Sequence, residues 1–112
     1  MPGFSRQLTN SAPVFAALGD GTRLRLIARL TASGPASITR LASGGRVTRQ
    51  AITKHLRVLE GAGLAHVRRR GREQLWELDA KPLAGARASL EMISRQWEQA
   101  LGRLKTFVEG QD

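Results

Sequence analysis

The spacing of apolar and polar residues along the chain predicts five α-helices and one β-hairpin. Apolar residues that recur three and four positions apart indicate one face of a helix, and alternating residues between turn signals indicate a strand. Polar caps and Gly or Pro breaks set the predicted limits. The predicted elements are a short first helix over residues 12–18, a second from Asp20 to the Ser33-Gly34-Pro35 break, a third from Ser37 to Gly44-Gly45, a fourth from Thr48 to about Leu59, strands over 64–69 and 74–78, and a last helix over 82–108.

The third and fourth predicted helices meet at the Gly44-Gly45 pair, which predicts a helix-turn-helix. One face of the fourth helix is apolar and consists of Ala51, Ile52, Leu56 and Leu59. The opposite face lacks carboxylates and consists of Arg49, Gln50, Thr53, Lys54 and Arg57. Such a face suits the major groove of DNA, because Arg pairs with guanine, Gln with adenine, and Thr or Lys with a base or phosphate. The alternative is an ordinary solvated surface.

The predicted hairpin carries basic residues at its tip. Val67, Trp76 and Leu78 can face inward, whereas the tip Arg70-Gly71-Arg72-Glu73 projects positive charge beside the fourth helix. Four arginines gather there, namely Arg68, Arg69, Arg70 and Arg72. They could follow a phosphate backbone or enter a minor groove. Alternatively, they only protect the hairpin edge from pairing with another chain.

The last predicted helix repeats apolar residues every seven positions. The apolar seam consists of Leu83, Ala86, Leu90, Ile93, Trp97, Ala100, Leu104 and Phe107. A seam of this length predicts burial against a second copy of the chain. The rest of the domain could cover part of it. The neighbouring Met92, Leu101 and Val108 could also line a small-molecule pocket.

Positive charge is concentrated in the middle of the sequence. The 112 residues carry 18 Lys and Arg against nine Asp and Glu, a net charge of +9. Residues 40–72 hold nine basic residues against Glu60 alone and so supply +8 of that charge. A block of one sign within a folded domain favours a polyanionic partner, and nucleic acid is the first candidate. The alternative is a basic protein without such a partner.

Composition argues against several classes of protein. Without cysteine the chain forms no disulfide, thiolate metal site or thiol redox centre. No apolar run approaches the roughly 20 residues of a membrane span, and residues 1–11 lack the apolar run of a secretory signal, so we expect a soluble, cytoplasmic protein without a membrane partner. We expect no enzyme, because no Ser, His and carboxylate cluster or phosphate-binding glycine loop is found, and Glu77 and Asp79 are interpreted as surface acids.

Two segments resemble the bacterial ArsR/SmtB-type winged helix-turn-helix regulators. The segment Val14–Ile27 is similar to the opening of that family, and Val47–Leu64 is similar to its recognition helix and the exit from it. With the basic wing that ends in Trp76-Glu77-Leu78, the match covers about residues 12–79. The resemblance implies a mainly α winged helix-turn-helix with a small β-hairpin. It also implies a homodimer, paired through the first and last helices, that binds operator DNA, usually as a repressor.

The chain departs from that family where many of its members bind metals. The third-helix stretch Ser37–Ala42 holds no cysteine, and residues 82–109 hold no histidine. The last helix is instead similar to a metal-independent subgroup of the family. Gly21 stands where the family commonly has Pro, and Gly45 where it commonly has an apolar residue.

The two histidines do not predict a metal site. His55 and His66 cannot alone supply the three or four ligands of a usual zinc centre, so we expect no cofactor. His55 is interpreted as a packed or hydrogen-bonded helix residue, to which the resemblance assigns a supporting role at the DNA interface. His66 is interpreted as a surface strand residue.

These inferences predict one domain over residues 1–112, with the helix-turn-helix and wing in 12–79 and a C-terminal dimerisation helix in 82–109. The predicted DNA-binding residues are Arg46, Thr48, Arg49, Gln50, Thr53, Lys54, His55, Arg57, Arg68, Arg69, Arg70 and Arg72. The predicted dimer interface comprises Val14, Phe15, Leu83, Leu90, Ile93, Trp97, Leu101, Leu104 and Phe107. The leading hypothesis is a sequence-specific regulator on an inverted-repeat operator, with no effector assigned. The alternative is a module that binds an acidic protein or coats DNA without sequence preference.

Overall fold

The computed structural model of the protein describes residues 2–110 and confirms a mainly helical fold with a two-stranded antiparallel wing. The elements are α1 (Pro2–Leu18), α2 (Gly21–Ser33), α3 (Ile38–Ala42), α4 (Arg49–Gly61), β1 (Ala65–Arg70), β2 (Glu73–Leu78) and α5 (Lys81–Glu109). Within residues 2–110, no helix combines the length and apolarity that crossing a membrane requires.

Three helices begin at the polar residues that the sequence predicted as N-caps. The side chains of Asp20, Ser37 and Thr48 each accept a hydrogen bond from the backbone N–H three positions later. Between α3 and α4, Gly44 and Gly45 have φ values of 111° and 78°. Glycine adopts this left-handed region without the steric cost that a Cβ adds, so the pair makes the tight turn of the helix-turn-helix.

The core lies where α1, α2 and α4 meet the base of the wing. From α4, Ile52, Leu56 and Leu59 are fully buried, as the predicted apolar face requires. They pack with Val14, Ala17, Leu26, Leu30, Leu41, Leu64 and Trp76. This packing fixes which face of α4 remains in solvent.

Side chains on both faces of the wing are buried in β2, where Leu75 and Trp76 are neighbours. Trp76 is buried opposite Val67, and its backbone N–H and C=O exchange hydrogen bonds with Ala36. Leu75 is also buried, which the predicted alternation did not include. At the tip, Gly71 has a φ of 62° at the first position of a two-residue turn, the position that a type II′ hairpin turn gives to glycine.

The first helix is longer than predicted. It begins at Pro2 instead of Ala12, and Pro13 lies inside it. The added turns are polar in sequence, but they are stabilised by packing against α5. There, Gln7 Nε2 donates to the Gly85 carbonyl at 3.1 Å. Tertiary contact therefore overrides a weak local pattern.

A buried polar cluster joins α1 to α5. The hydroxyls of Ser11 and Ser89 lie 2.7 Å apart, and both residues are buried. The Gly85 carbonyl lies 3.3 Å from Ser11 Oγ, and the Gln7 carbonyl lies 3.2 Å from Ser89 Oγ. Because each hydroxyl has one proton, one of them donates across the pair and the other donates to its carbonyl. Every hydroxyl in this contact therefore has a partner, as burial of polar groups requires.

The end of α5 projects from the rest of the chain. All residues from Leu101 to Gly110 are exposed, and the molecule measures 71 × 29 × 21 Å. Its radius of gyration is 19.4 Å, whereas a compact domain of this size has about 13 Å. Three helical turns with an apolar stripe thus lie outside the chain's own core.

Candidate nucleic-acid interface

The polar face of α4 points away from the core. Arg49, Gln50 and Lys54 are exposed, and Thr53 is half-buried beside them. The Thr53 hydroxyl donates to the Arg49 carbonyl at 2.8 Å, which leaves its oxygen able to accept a second hydrogen bond. The Thr48 hydroxyl already has a structural role, because it caps α4 by accepting a hydrogen bond from the Ala51 N–H.

A basic cleft separates α4 from the wing. It has a volume of about 500 Å³ and is lined by Arg49 of α4, by Arg69, Arg72, Glu73 and Gln74 of the wing, and by Ser37, Ile38 and Thr39 at the start of α3. Its charged side chains are therefore three arginines and one carboxylate. Within residues 2–110, none of these three guanidinium groups forms an ion pair or a side-chain hydrogen bond. Guanidinium groups that carry no internal partner are available for phosphate oxygens, which they bind in bidentate geometry.

Two of the predicted arginine contacts have partners within the chain. Arg57 Nη1 lies 2.9 Å from Glu60 Oε1, and the Arg57 guanidinium carbon is 5.2 Å from the centroid of the Trp76 ring. Arg68 Nη1 lies 3.8 Å from Glu77 Oε2, at the base of the wing. Arg57 therefore links α4 to the wing in addition to any contact with a ligand.

The turn between α3 and α4 is held in place from α2. Arg29 Nη1 donates to the Leu41 carbonyl at 2.7 Å, and Nη2 donates to the Arg40 carbonyl at 2.9 Å. These carbonyls belong to the last turn of α3, where backbone acceptors lack helical partners. The exposed Arg46 lies across a small hollow from Arg29 and Arg25. No sequence pattern identifies this link, because it joins residues 11 and 12 positions apart on different helices.

His55 faces inward from α4. Its Nδ1 lies 3.3 Å from Arg23 Nη1 and 3.7 Å from Asp20 Oδ2. His55 is half-buried and so lies beside the exposed polar face instead of within it. The second histidine, His66, is exposed on the wing, where its Nε2 lies 2.7 Å from Glu77 Oε1.

The carboxylate of Asp20 is stabilised in its charged form. The hydrogen bond from the Arg23 backbone N–H lowers the pKa of Asp20 below its ordinary value of 3.8, and the charge of Arg23 lowers it further, whereas desolvation opposes the shift. A lowered folded-state pKa contributes stability that is present above the unfolded-state pKa and is lost as the pH falls through the folded-state value.

We therefore expect the stability difference between the wild type and Asp20→Asn to shrink on acidification. Asn retains the cap but does not titrate. The free energy of unfolding of the wild type should exceed that of the variant at pH 7, and the difference should disappear as the pH falls below 3.8 and through the lower folded-state pKa. Urea unfolding at pH 7 and at successively lower pH measures the difference. A difference that stays constant would show that ionised Asp20 contributes nothing.

Within residues 2–110, no group of three or more His, Asp or Glu side chains is arranged to hold a metal ion.

The predicted dimer residues divide into three sets by exposure. Val14 is 7% exposed and belongs to the core, so it does not lie on the free apolar surface. Phe15 and Ile93 are half-buried. The remaining predicted residues are 39–64% exposed and comprise Leu83, Leu90, Trp97, Leu101, Leu104 and Phe107. Beside them lies an apolar groove of about 600 Å³, to which Phe15, Leu18, Leu83 and Leu90 contribute.

Comparison with known proteins agrees with this geometry. Residues 18–68 match the family described as a helix-turn-helix domain. The chain is 40% identical over 85 residues to the HTH-type transcriptional regulator Rv2034 of Mycobacterium tuberculosis, and this alignment covers 76% of each protein. The chain is also similar to the solved ArsR-like transcriptional regulator from Rhodococcus sp. RHA1, with 34% identity, a TM-score of 0.76, and coverage of 88% of this chain and 92% of that one. A solved possible transcriptional regulator for arsenical resistance gives 37% identity, a TM-score of 0.62, and coverage of 81% and 91%. The chain therefore belongs to the ArsR-like helix-turn-helix transcriptional regulators.

Proposed function

We propose that the protein is a homodimeric repressor that recognises an inverted-repeat operator through α4 and the wing. The observation that carries this proposal is the basic cleft, which Arg49, Arg69 and Arg72 line without internal partners, with Glu73 as its one acid, beside a face of α4 free of carboxylates. A duplex supplies both the phosphates and the base edges that these groups bind. Occupation of promoter DNA then blocks transcription.

The residues of the interface take different roles in this proposal. Gln50, Thr53 and Arg49 contact base edges, because they lie on the exposed side of the first half of α4. Lys54 and Arg57 are shared between bases and phosphates. The wing residues Arg69, Arg70 and Arg72 contact the backbone or the minor groove.

The apolar stripe of α5 supports pairing with a second copy. Trp97 is 64% exposed at the middle of the stripe, and exposed apolar patches of this kind mark interaction surfaces. An antiparallel pair of α5 helices would place Leu101 and Leu104 of one protomer in the groove beside Phe15 and Leu83 of the other. The same contact is then made twice, as a two-fold interface requires.

Dimerisation sets the form of the operator. A two-fold axis through the α5 pair places two copies of α4 on successive major grooves, about 34 Å apart, so the half-sites are inverted and separated by about one helical turn. Repression in this proposal does not involve a metal ion, because the chain has no cysteine, residues 82–109 hold no histidine, and His55 and His66 are too few for a usual zinc centre.

Selection of bound duplexes from a random DNA pool tests the proposal, because it measures sequence preference and symmetry together. We expect an inverted repeat. On that site Gln50→Ala should cost about 1–3 kcal/mol of binding free energy, with little change on random DNA.

The matched comparison is Arg70→Ala, which should weaken binding to all duplexes similarly, because phosphate contacts carry no sequence information. Equal losses on selected and random DNA for Gln50→Ala would reject its base-reading role. Failure to enrich any sequence would favour DNA coating or a protein partner instead.

A further inference from the structure

We infer that Arg23 and His55 are positioning residues that fix the orientation of α4 relative to α1, and thereby favour sequence-specific over nonspecific binding. The inference rests on the proposed function, since it concerns how the reading helix is held. It starts from the place where the end of α1, the start of α2 and the middle of α4 meet.

Arg23 is the centre of this junction. Its Nε donates to the Ala17 carbonyl at 2.6 Å, and its Nη2 donates to the Ala16 carbonyl at 3.2 Å. Both carbonyls lie in the last turn of α1, where acceptors lack helical partners and the helix dipole favours a cation. Its backbone N–H donates to Asp20 Oδ2 at 3.0 Å, so the same residue closes the start of α2.

The remaining nitrogen of this guanidinium reaches α4. Arg23 Nη1 lies 3.3 Å from His55 Nδ1. A guanidinium only donates hydrogen bonds, so His55 Nδ1 accepts and its proton lies on Nε2. Asp20 Oδ2 is 3.7 Å from the same nitrogen, which makes it an electrostatic neighbour instead of the hydrogen-bond partner.

This link differs from the other contacts of α4. In the part of the chain that the structure describes, no other side-chain hydrogen bond or ion pair joins α4 to another helix. The remaining contacts of α4 with α1 and α2 are apolar and involve residues such as Val14, Leu26 and Leu56. Apolar packing is not directional, whereas a hydrogen bond selects one orientation.

Orientation matters more for base edges than for phosphates. A recognition group must be held within about 0.5 Å and 10–20° of its working geometry. Phosphates surround the groove and tolerate a small tilt, because contacts with them are electrostatic and independent of sequence. Loss of the link should therefore reduce specific binding and leave nonspecific binding nearly unchanged.

The test compares His55→Phe, which keeps the ring but has no acceptor, with His55→Asn, whose Oδ1 can replace Nδ1. On the selected duplex we expect His55→Phe to bind about 10-fold more weakly and His55→Asn to recover to within about threefold of the wild type. Both should match the wild type within about twofold on random DNA. Arg23→Lys keeps the charge but loses the forked guanidinium, so it should show the same loss of affinity for the selected duplex. The double variant Arg23→Lys/His55→Phe should bind that duplex no more weakly than the weaker of the two single variants.

Each other outcome overturns the inference. Equal losses for His55→Phe and His55→Asn would mean that the imidazole contacts DNA itself. Losses that add in the double variant, or that appear equally on random DNA, would remove the coupling. Thermal unfolding establishes that each variant is folded. If His55→Phe is not folded, the inference is tested by the affinities of His55→Asn and Arg23→Lys for the selected duplex, which should be near the wild type and about 10-fold weaker, respectively. A wild type that selects no sequence overturns the proposed function and this inference together.

Discussion

Replacement of Trp97 by Asp is expected to leave the protein monomeric at micromolar concentration and to weaken operator binding by at least about 100-fold. Trp97 is 64% exposed at the middle of the α5 stripe. An unpaired carboxylate buried there costs several kcal/mol, enough to dissociate a small dimer. A monomer holds a single half-site and loses the gain of about 10²–10⁴ that linked binding provides. Sedimentation equilibrium and a gel-shift titration measure the two effects.

Gln99→Asp is the matched control, because it adds the same charge at an exposed position of α5 outside the apolar stripe. It should remain dimeric with unchanged affinity. If Trp97→Asp also stays dimeric, the stripe does not pair the subunits. If it becomes monomeric but keeps its operator affinity, the second subunit contributes nothing to binding.

The double variant Arg69→Ala/Arg72→Ala should weaken binding to every duplex by roughly 100-fold at moderate salt. Both guanidinium groups lie in the basic cleft without internal partners. A dimer would lose four phosphate contacts, so the slope of log affinity against log salt should become shallower by about 3 to 4. Binding titrations from low to high salt provide both quantities.

Arg95→Ala/Arg103→Ala removes the same charge from α5, away from the cleft. It separates a local contact from a general effect of net charge. An equal change in slope for both double variants would contradict a phosphate site in the cleft. No change for either would place the duplex elsewhere on the protein.

The sequence predicted those parts of the fold that depend on local chemistry. Asp20, Ser37 and Thr48 cap helices because their side chains bond to the next turn, a signal that lies within four residues. The buried face of α4 followed from its periodicity, and its exposed face followed from the same pattern. In the candidate interface, sequence could predict that Arg49 and Gln50 are exposed.

The features that the sequence did not predict depend on distant partners. In sequence, Arg23 and Arg29 resemble ordinary surface residues of α2, but they bond to carbonyls of α1 and α3 that only tertiary packing brings near. The first two turns of α1 have no strong apolar pattern and are stabilised by α5. The sequence left open how much of the α5 seam the rest of the domain covers; Ala86 is buried in the chain's own core, whereas Trp97 is exposed. Periodicity identifies a stripe but not which neighbour covers it.

The hydroxyl pair of Ser11 and Ser89 has a consequence for the proposed dimer. Sliding α1 along α5 would strand both hydroxyls in an apolar environment, so the two helices keep one axial alignment. The two α4 helices of the dimer are then held at a fixed separation. An operator lengthened by one base pair would rotate its distal half-site by roughly 34° and move it by about 3.4 Å. The α1–α5 contact gives the dimer no freedom to follow this change.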